Sequence, residues 1–166
     1  MITMDPQVRA YLDAAAASGI PPIQELTPAQ ARHNAEVAAP AMDGPPPPLE
    51  RVEDRVIAGV AVRVYAPETG RTLPVVVYFH GGGWVICSLD THDTVCRRLA
   101  AAAGCLVVAV HYRMAPEHRF PAAVDDCWAV TSWLAAHAGE LGGDPERLAV
   151  AGDSAGGNLA TVSALR

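Results

Sequence analysis

Ser154 stands at the centre of Gly152-Asp153-Ser154-Ala155-Gly156, a G-x-S-x-G pentapeptide. The apolar run Leu148-Ala149-Val150-Ala151 precedes it, and the helix-forming stretch Asn158-Leu159-Ala160-Thr161-Val162 follows. A strand, a tight turn and a helix in that order hold a serine hydroxyl out at the end of a sheet. Glycine and alanine around the serine have a steric reason, because a strained strand-to-helix turn leaves no room for bulk beside the backbone beneath it. A hydroxyl presented in this way can attack an acyl carbonyl, which makes Ser154 the candidate nucleophile.

Acyl transfer also develops negative charge on the carbonyl oxygen, and fixed N–H donors stabilise that charge better than mobile water does. His80-Gly81-Gly82-Gly83-Trp84 supplies such donors directly after the apolar run that ends at Phe79, where ligand crevices open at strand C-termini. The candidate donors are the N–H groups of Gly82, Gly83 and Ala155. A phosphate-binding loop is the rival reading of a glycine run, but it needs a Gly-Lys-Ser/Thr ending, and the chain contains no lysine. A glycine-rich turn without chemistry is the plainer alternative for either motif taken alone.

These motifs need a scaffold, and the rest of the chain reads as one. At 166 residues and 51% hydrophobic content it has the length of one domain and ample material for a core, which excludes wholesale disorder. Residues 5 to 39 predict two short helices, opened by Asp5-Pro6 and Thr27-Pro28 and separated at Gly19 and Pro21-Pro22. Pro45-Pro46-Pro47-Pro48 then marks a boundary, dividing the chain into a helical segment over 1–48 and a main domain over 49–166. Beyond it, predicted strands at 60–65, 74–79, 106–110 and 148–151 alternate with predicted helices at about 91–103 and 121–138. Apolar strands alternating with helices indicate an α/β fold with a mostly parallel sheet covered on both faces.

Taken together, the motifs resemble the hormone-sensitive-lipase-like carboxylesterases, bacterial family IV of the α/β-hydrolase superfamily. The resemblance covers about Asp5 to Arg166. It rests on His80 to Trp84, on Asp90-Thr91-His92-Asp93, on Tyr112-Arg113-Met114-Ala115-Pro116-Glu117-His118 with Phe120-Pro121-Ala122-Ala123, and on Gly152 to Ala160. It implies an α/β-hydrolase fold whose N-terminal helices form part of a cap over an acyl pocket. It also implies a serine hydrolase of short-chain acyl esters that works through an acyl-enzyme on Ser154, with no cofactor and no metal. Gly82, Gly83 and Ala155 would form the oxyanion hole, and His80, Asp153 and Glu117 would brace the site.

In that family the acid and the histidine follow the serine, whereas no Asp, Glu or His follows Ser154 here. The resemblance therefore implies the N-terminal half of such an enzyme, cut after the nucleophile helix, with little turnover alone. The alternatives are a non-catalytic ligand-binding or interaction module, and a fragment completed by a separate C-terminal chain. A second departure is Cys87, where relatives usually carry glycine; if that position needs a positive φ, the Cβ costs on the order of 1 kcal/mol.

The remaining polar residues read as structural. Asp90 or Thr91 is expected to cap the helix beginning near His92, His111, Arg113 and His118 to brace the segment after the fourth strand, and Asp125 and Asp126 to be solvated or to brace a helix. His33 and His137 lie on predicted surface helices. Cys87, Cys96, Cys105 and Cys127 are too widely spaced for a Cys-x-x-Cys site and read as reduced, mostly buried thiols. A formal charge of −6 with scattered acids excludes a nucleic-acid partner and leaves a small ester as the expected one. Met1-Ile2-Thr3-Met4-Asp5-Pro6 lacks the pattern of a secretion signal, and no apolar stretch is long enough to cross a bilayer, so a cytoplasmic protein is expected. A sheet ending at the elbow would expose an apolar edge, from which self-association is expected.

Overall fold

The computed structural model describes residues 4–166; Met1 to Thr3 of the N-terminal reading lie outside them. Two helices come first, α1 over Pro6–Ala17 and α2 over Pro28–Asp43. Each has proline in its first turn, where the missing N–H is not needed. Asp5 caps α1 by accepting the Gln7 N–H at 2.7 Å. Thr27 and Gln30 form a reciprocal capping box at the start of α2. No residue of α1 is buried, while Ala31 of α2 is.

Five strands follow: β1 (Arg51–Ile57), β2 (Val60–Ala66), β3 (Leu73–Phe79), β4 (Leu106–Val110) and β5 (Gly143–Gly152). Helices α3 (Asp93–Ala103), α4 (Ala122–His137) and α5 (Ala155–Leu165) are threaded between and after them. The strands lie in the order β1-β2-β4-β3-β5. β3 is parallel to both of its neighbours, and β2 is antiparallel to both of its own. β1 carries Arg51, Glu53, Asp54 and Arg55 among its residues, so no apolar run announces it. It is an edge strand held by a two-residue turn in which Ala58 (φ 50°) and Gly59 (φ 82°) both take the left-handed conformation that hairpins favour.

Side-chain alternation divides the sheet into two faces. Val62 and Val64, Val75, Val77 and Phe79, and Leu106, Val108 and Val110 pack with Cys127, Val130 and Leu134 of α4 and Leu159 of α5. Their intervening neighbours Tyr65, Tyr78, Val107 and Ala109 pack with Cys96 and Ala100 of α3. The sheet is thus sandwiched between helices, as its apolar strands require. Three of the four cysteines are buried and all four are free thiols.

One register decides where chemistry is possible. Phe79, the last residue of β3, lies opposite Gly152, the last residue of β5, in parallel pairing. The glycine segment leaving β3 and the serine turn leaving β5 therefore emerge side by side at the same end of the sheet.

Candidate active site

Ser154 has φ 49° and ψ −117°, a region that residues with a Cβ rarely occupy. The turn is held in place by what it lacks. A Cβ on Gly152 would run into the Phe79 carbonyl oxygen and Gly156, and a Cβ on Gly156 would meet the Phe79 carbonyl group and the His80 oxygen. These glycines let α5 start directly against the end of β3. Gly156 donates its N–H to Asp153 O at 2.7 Å and Asn158 donates to Ser154 O at 3.1 Å, closing the first turn behind an exposed serine.

The glycine segment beside it is folded back on itself. Gly82 (φ 110°), Gly83 (φ 60°) and Trp84 (φ 60°) all have positive φ, and the N–H groups of Val85 and Ile86 both bond Gly82 O, at 3.1 and 2.9 Å. A Cβ on Gly82 would collide with the Ile86 backbone, so only glycine allows this fold-back. Among the hydrogen bonds of the described residues, none uses the N–H of Gly82, Gly83 or Ala155. Gly82, Gly83 and Ser154 line one cavity of about 440 Å³, roofed by Ile23, Leu26, Pro28 and Ala31 from the N-terminal helical segment. A second cavity of about 550 Å³, mainly apolar, lies on the other side of Gly83 against Trp84, Phe120, Asn158 and Val162.

Asp153 joins these two turns. Its Oδ1 accepts the Gly81 N–H at 3.0 Å and the Tyr78 hydroxyl at 3.0 Å, and lies 3.2 Å from His92 Nε2. His92 Nδ1 lies 2.9 Å from Thr91 Oγ1, whose own proton goes to Ser88 O at 2.9 Å. His80 is 2% exposed. Its Nδ1–H donates to Gly81 O at 2.7 Å, and its ring stacks on Tyr112 with centroids 4.4 Å apart. The Tyr112 hydroxyl donates to His80 O at 2.7 Å. Burial pulls the His80 imidazole down to about 4, so it is neutral near pH 7, and its buried Nε2 has no hydrogen-bond partner.

Glu117 sits farther out and is paired with Arg32. The Arg32 guanidinium of α2 binds both Glu117 oxygens, at 2.9 and 2.7 Å. The hydrogen bonds from Arg32 hold the Glu117 carboxyl at about 2, well below the usual carboxylate range. The same guanidinium donates to Val85 O at 2.7 Å and to Ala115 O at 2.8 Å.

The structure thus gathers Ser154, Gly82, Gly83, Ala155, His80 and Asp153 around the ends of β3 and β5, and it sets Glu117 behind them. Arg32, Tyr78, His92 and Tyr112 take part without having been singled out for these contacts by sequence, since no motif links Arg32 or Tyr78 to partners so far along the chain. The cap expectation for α3 is corrected. His92 occupies the capping position with no side-chain cap, because Asp90 is drawn to Arg63 at 2.8 Å and Thr91 Oγ1 accepts the Ser88 N–H at 2.9 Å. Asp126 is buried rather than solvated, accepting from Arg113 N, Nε and Nη2, whereas Asp125 pairs with Arg166. His118 lines the apolar cavity, and His137 lies by Glu140 and stacks on Trp133. Cys87 has φ 71°, the conformation in which its Cβ is strained, and burial pushes its thiol up, away from the reactive thiolate.

Residues 76–166 match a family described as having the alpha/beta hydrolase fold. Carboxylesterase NlhH of Mycobacterium tuberculosis is 54% identical over 123 residues, covering 70% of this chain and 39% of that protein. An ethyl acetate hydrolase of Pseudomonas putida is 38% identical over 98% of this chain and 55% of its own length. Among solved structures, a hyperthermophilic esterase from the archaeon Pyrobaculum calidifontis superposes with a TM-score of 0.91 at 44% identity, covering 99% of this chain and 54% of that one. The chain therefore spans about half or less of the length of these relatives. Among the described residues no helix is long and apolar enough to cross a membrane.

Proposed function

Because this chain belongs to the α/β-hydrolase carboxylesterases, in the hormone-sensitive-lipase-like branch, we propose that it carries the acylation half of a serine esterase site for short acyl esters. The observation that carries this reading is the positive-φ Ser154 sharing a cavity with Gly82 and Gly83, whose N–H groups, like that of Ala155, have no partner among the described residues.

In the reaction, Ser154 Oγ bonds to the ester carbonyl carbon while its proton leaves to a base. The carbonyl π pair moves onto oxygen, which the N–H groups of Gly82, Gly83 and Ala155 stabilise. Collapse of this intermediate re-forms the carbonyl, expels the alkoxide with a proton and leaves the acyl group on Ser154. Water then reverses the sequence to release the acid. The positive end of α5 lies at Ser154 and favours the same negative charge.

The proton acceptor is the weak link of the site within these residues. Among the described residues, none makes a hydrogen bond with Ser154 Oγ, and His80 is committed through Nδ1 to Gly81 O and is too weakly basic to serve well. We therefore assign His80, Asp153 and Glu117 bracing roles, and expect the 166-residue chain to turn esters over slowly. Hydrolysis of p-nitrophenyl butyrate by this chain, compared with Ser154→Ala, tests the reading. Serine-dependent turnover below about 1 s⁻¹, under the usual enzyme range, is expected. Turnover within that range contradicts the missing base. Saturable ester binding with no serine-dependent chemistry supports instead a ligand-binding module.

A further inference from the structure

The geometry points to Arg32 as a positioning residue that ties the placement of the N-terminal helix α2 to the shape of the Gly82-Gly83 turn. This rests on the esterase reading above for its chemical meaning, though not for its structural content. One planar guanidinium makes four hydrogen bonds to three places. It takes Glu117 at both oxygens, Ala115 at its carbonyl, and Val85 at its carbonyl, one residue beyond the positive-φ run Gly82-Gly83-Trp84. Ala115 in turn donates its N–H to Trp84 O at 2.9 Å.

Trp84 and Val85 therefore have both carbonyls anchored, one by Ala115 and the other by the arginine that also grips Ala115. Residues 84–85 cannot move outward without breaking a bond to this group. Arg32 follows Ala31, which roofs the Ser154 cavity, so the latch and the roof are on the same turn of α2. The side chain is 27% exposed, so the contacts are partly shielded from water. Lysine cannot reproduce them, because a single ammonium cannot span a bidentate carboxylate and two carbonyls. The consequence is that α2 stabilises the oxyanion donors as well as covering the cavity: its departure would release the donors.

Hydrogen exchange of the intact chain and of its Arg32→Lys and Glu117→Gln variants tests this. The reporting amides are Val85 and Ile86, both bonded to Gly82 O, with Val77 and Val108 in the core as internal controls. Arg32→Lys is expected to raise exchange at residues 85 and 86 at least tenfold with the core unchanged. Wild-type exchange at these amides in a folded variant overturns the proposal. If Arg32→Lys loses protection throughout, Glu117→Gln decides. Its guanidinium keeps the carbonyls but loses its counter-charge, and a rise of about threefold confined to the turn is expected, whereas no rise overturns the proposal.

A kinetic readout separates positioning from folding. With a fluorophosphonate probe, Arg32→Lys should lower the saturating rate constant of Ser154 labelling tenfold or more while the final labelled fraction and half-saturating concentration stay unchanged. A lower labelled fraction with an unchanged rate constant marks a merely structural arginine and overturns the proposal. If wild type is not labelled at Ser154, the esterase reading fails, and the exchange measurement still judges the latch.

Discussion

Asp153 Oδ1 accepts the Gly81 N–H at 3.0 Å, so the residue before Ser154 holds the first glycine of the segment that faces it. The two turns are thereby fixed to each other by a side chain as well as by the register of β3 and β5. The same oxygen accepts the hydroxyl of Tyr78, a residue only 8% exposed. Removing the carboxylate leaves that phenol without its partner. Asp153→Ala should cost about 1–3 kcal/mol in urea denaturation, and Asp153→Asn, which keeps one acceptor oxygen, less than half as much.

The glycines separate into those required by crowding and those required by conformation. Gly156→Ala places a methyl group on the Phe79 carbonyl, which neither α5 nor β3 can yield to, and should cost at least about 3 kcal/mol or prevent folding. Gly83→Ala meets no atom within 4 Å but keeps φ at 60°, so a loss of about 1 kcal/mol is expected. Equal losses in thermal or urea unfolding would show that the crowding at the elbow is not real.

Cys87 offers a test with the opposite sign. It holds φ 71° with a Cβ, and its replacement by glycine should raise stability by about 0.5–1 kcal/mol despite the lost thiol. A destabilised Cys87→Gly protein in the same denaturation assay would contradict the strain.

His80 predicts a pH dependence. Its folded value is pulled down to about 4 by burial, from an ordinary 6.5, so the unfolded chain binds the proton more readily between these limits. Stability is therefore complete above pH 6.5 and falls as the pH drops towards 4, by on the order of 3 kcal/mol. Glu117 acts in a lower window, its contribution intact above about 4.5 and lost as the pH falls towards 2. Urea midpoints measured from pH 8 to 4 should follow the His80 decline and flatten in His80→Asn; a flat wild-type profile would contradict a neutral buried imidazole.

Much of this architecture is legible in the sequence because its signals are local. The apolar strands β3, β4 and β5, the proline-led helices and the two glycine motifs each announce themselves within a few residues. β1 does not, since a solvated edge strand carries charge where a central one carries valine. The bracing of the site is illegible for a different reason. Arg32 and Glu117 are 85 positions apart, and Tyr78 and Asp153 are 75 apart. Only the folded sheet brings them together. Asp90 and Thr91 show local rules overruled: each has capping chemistry, and each is claimed by a stronger partner, Arg63 or Ser88.

The central claim is that Ser154 is the nucleophile. Cleavage after Arg147 releases residues 148–166 as one peptide, which contains Ser154 and Ser163. Mass spectrometry of that peptide after prolonged treatment of the chain with a fluorophosphonate should find one adduct, located on Ser154 and absent from Ser154→Ala. No adduct, or an adduct on Ser163 or another residue that persists in Ser154→Ala, would contradict the claim.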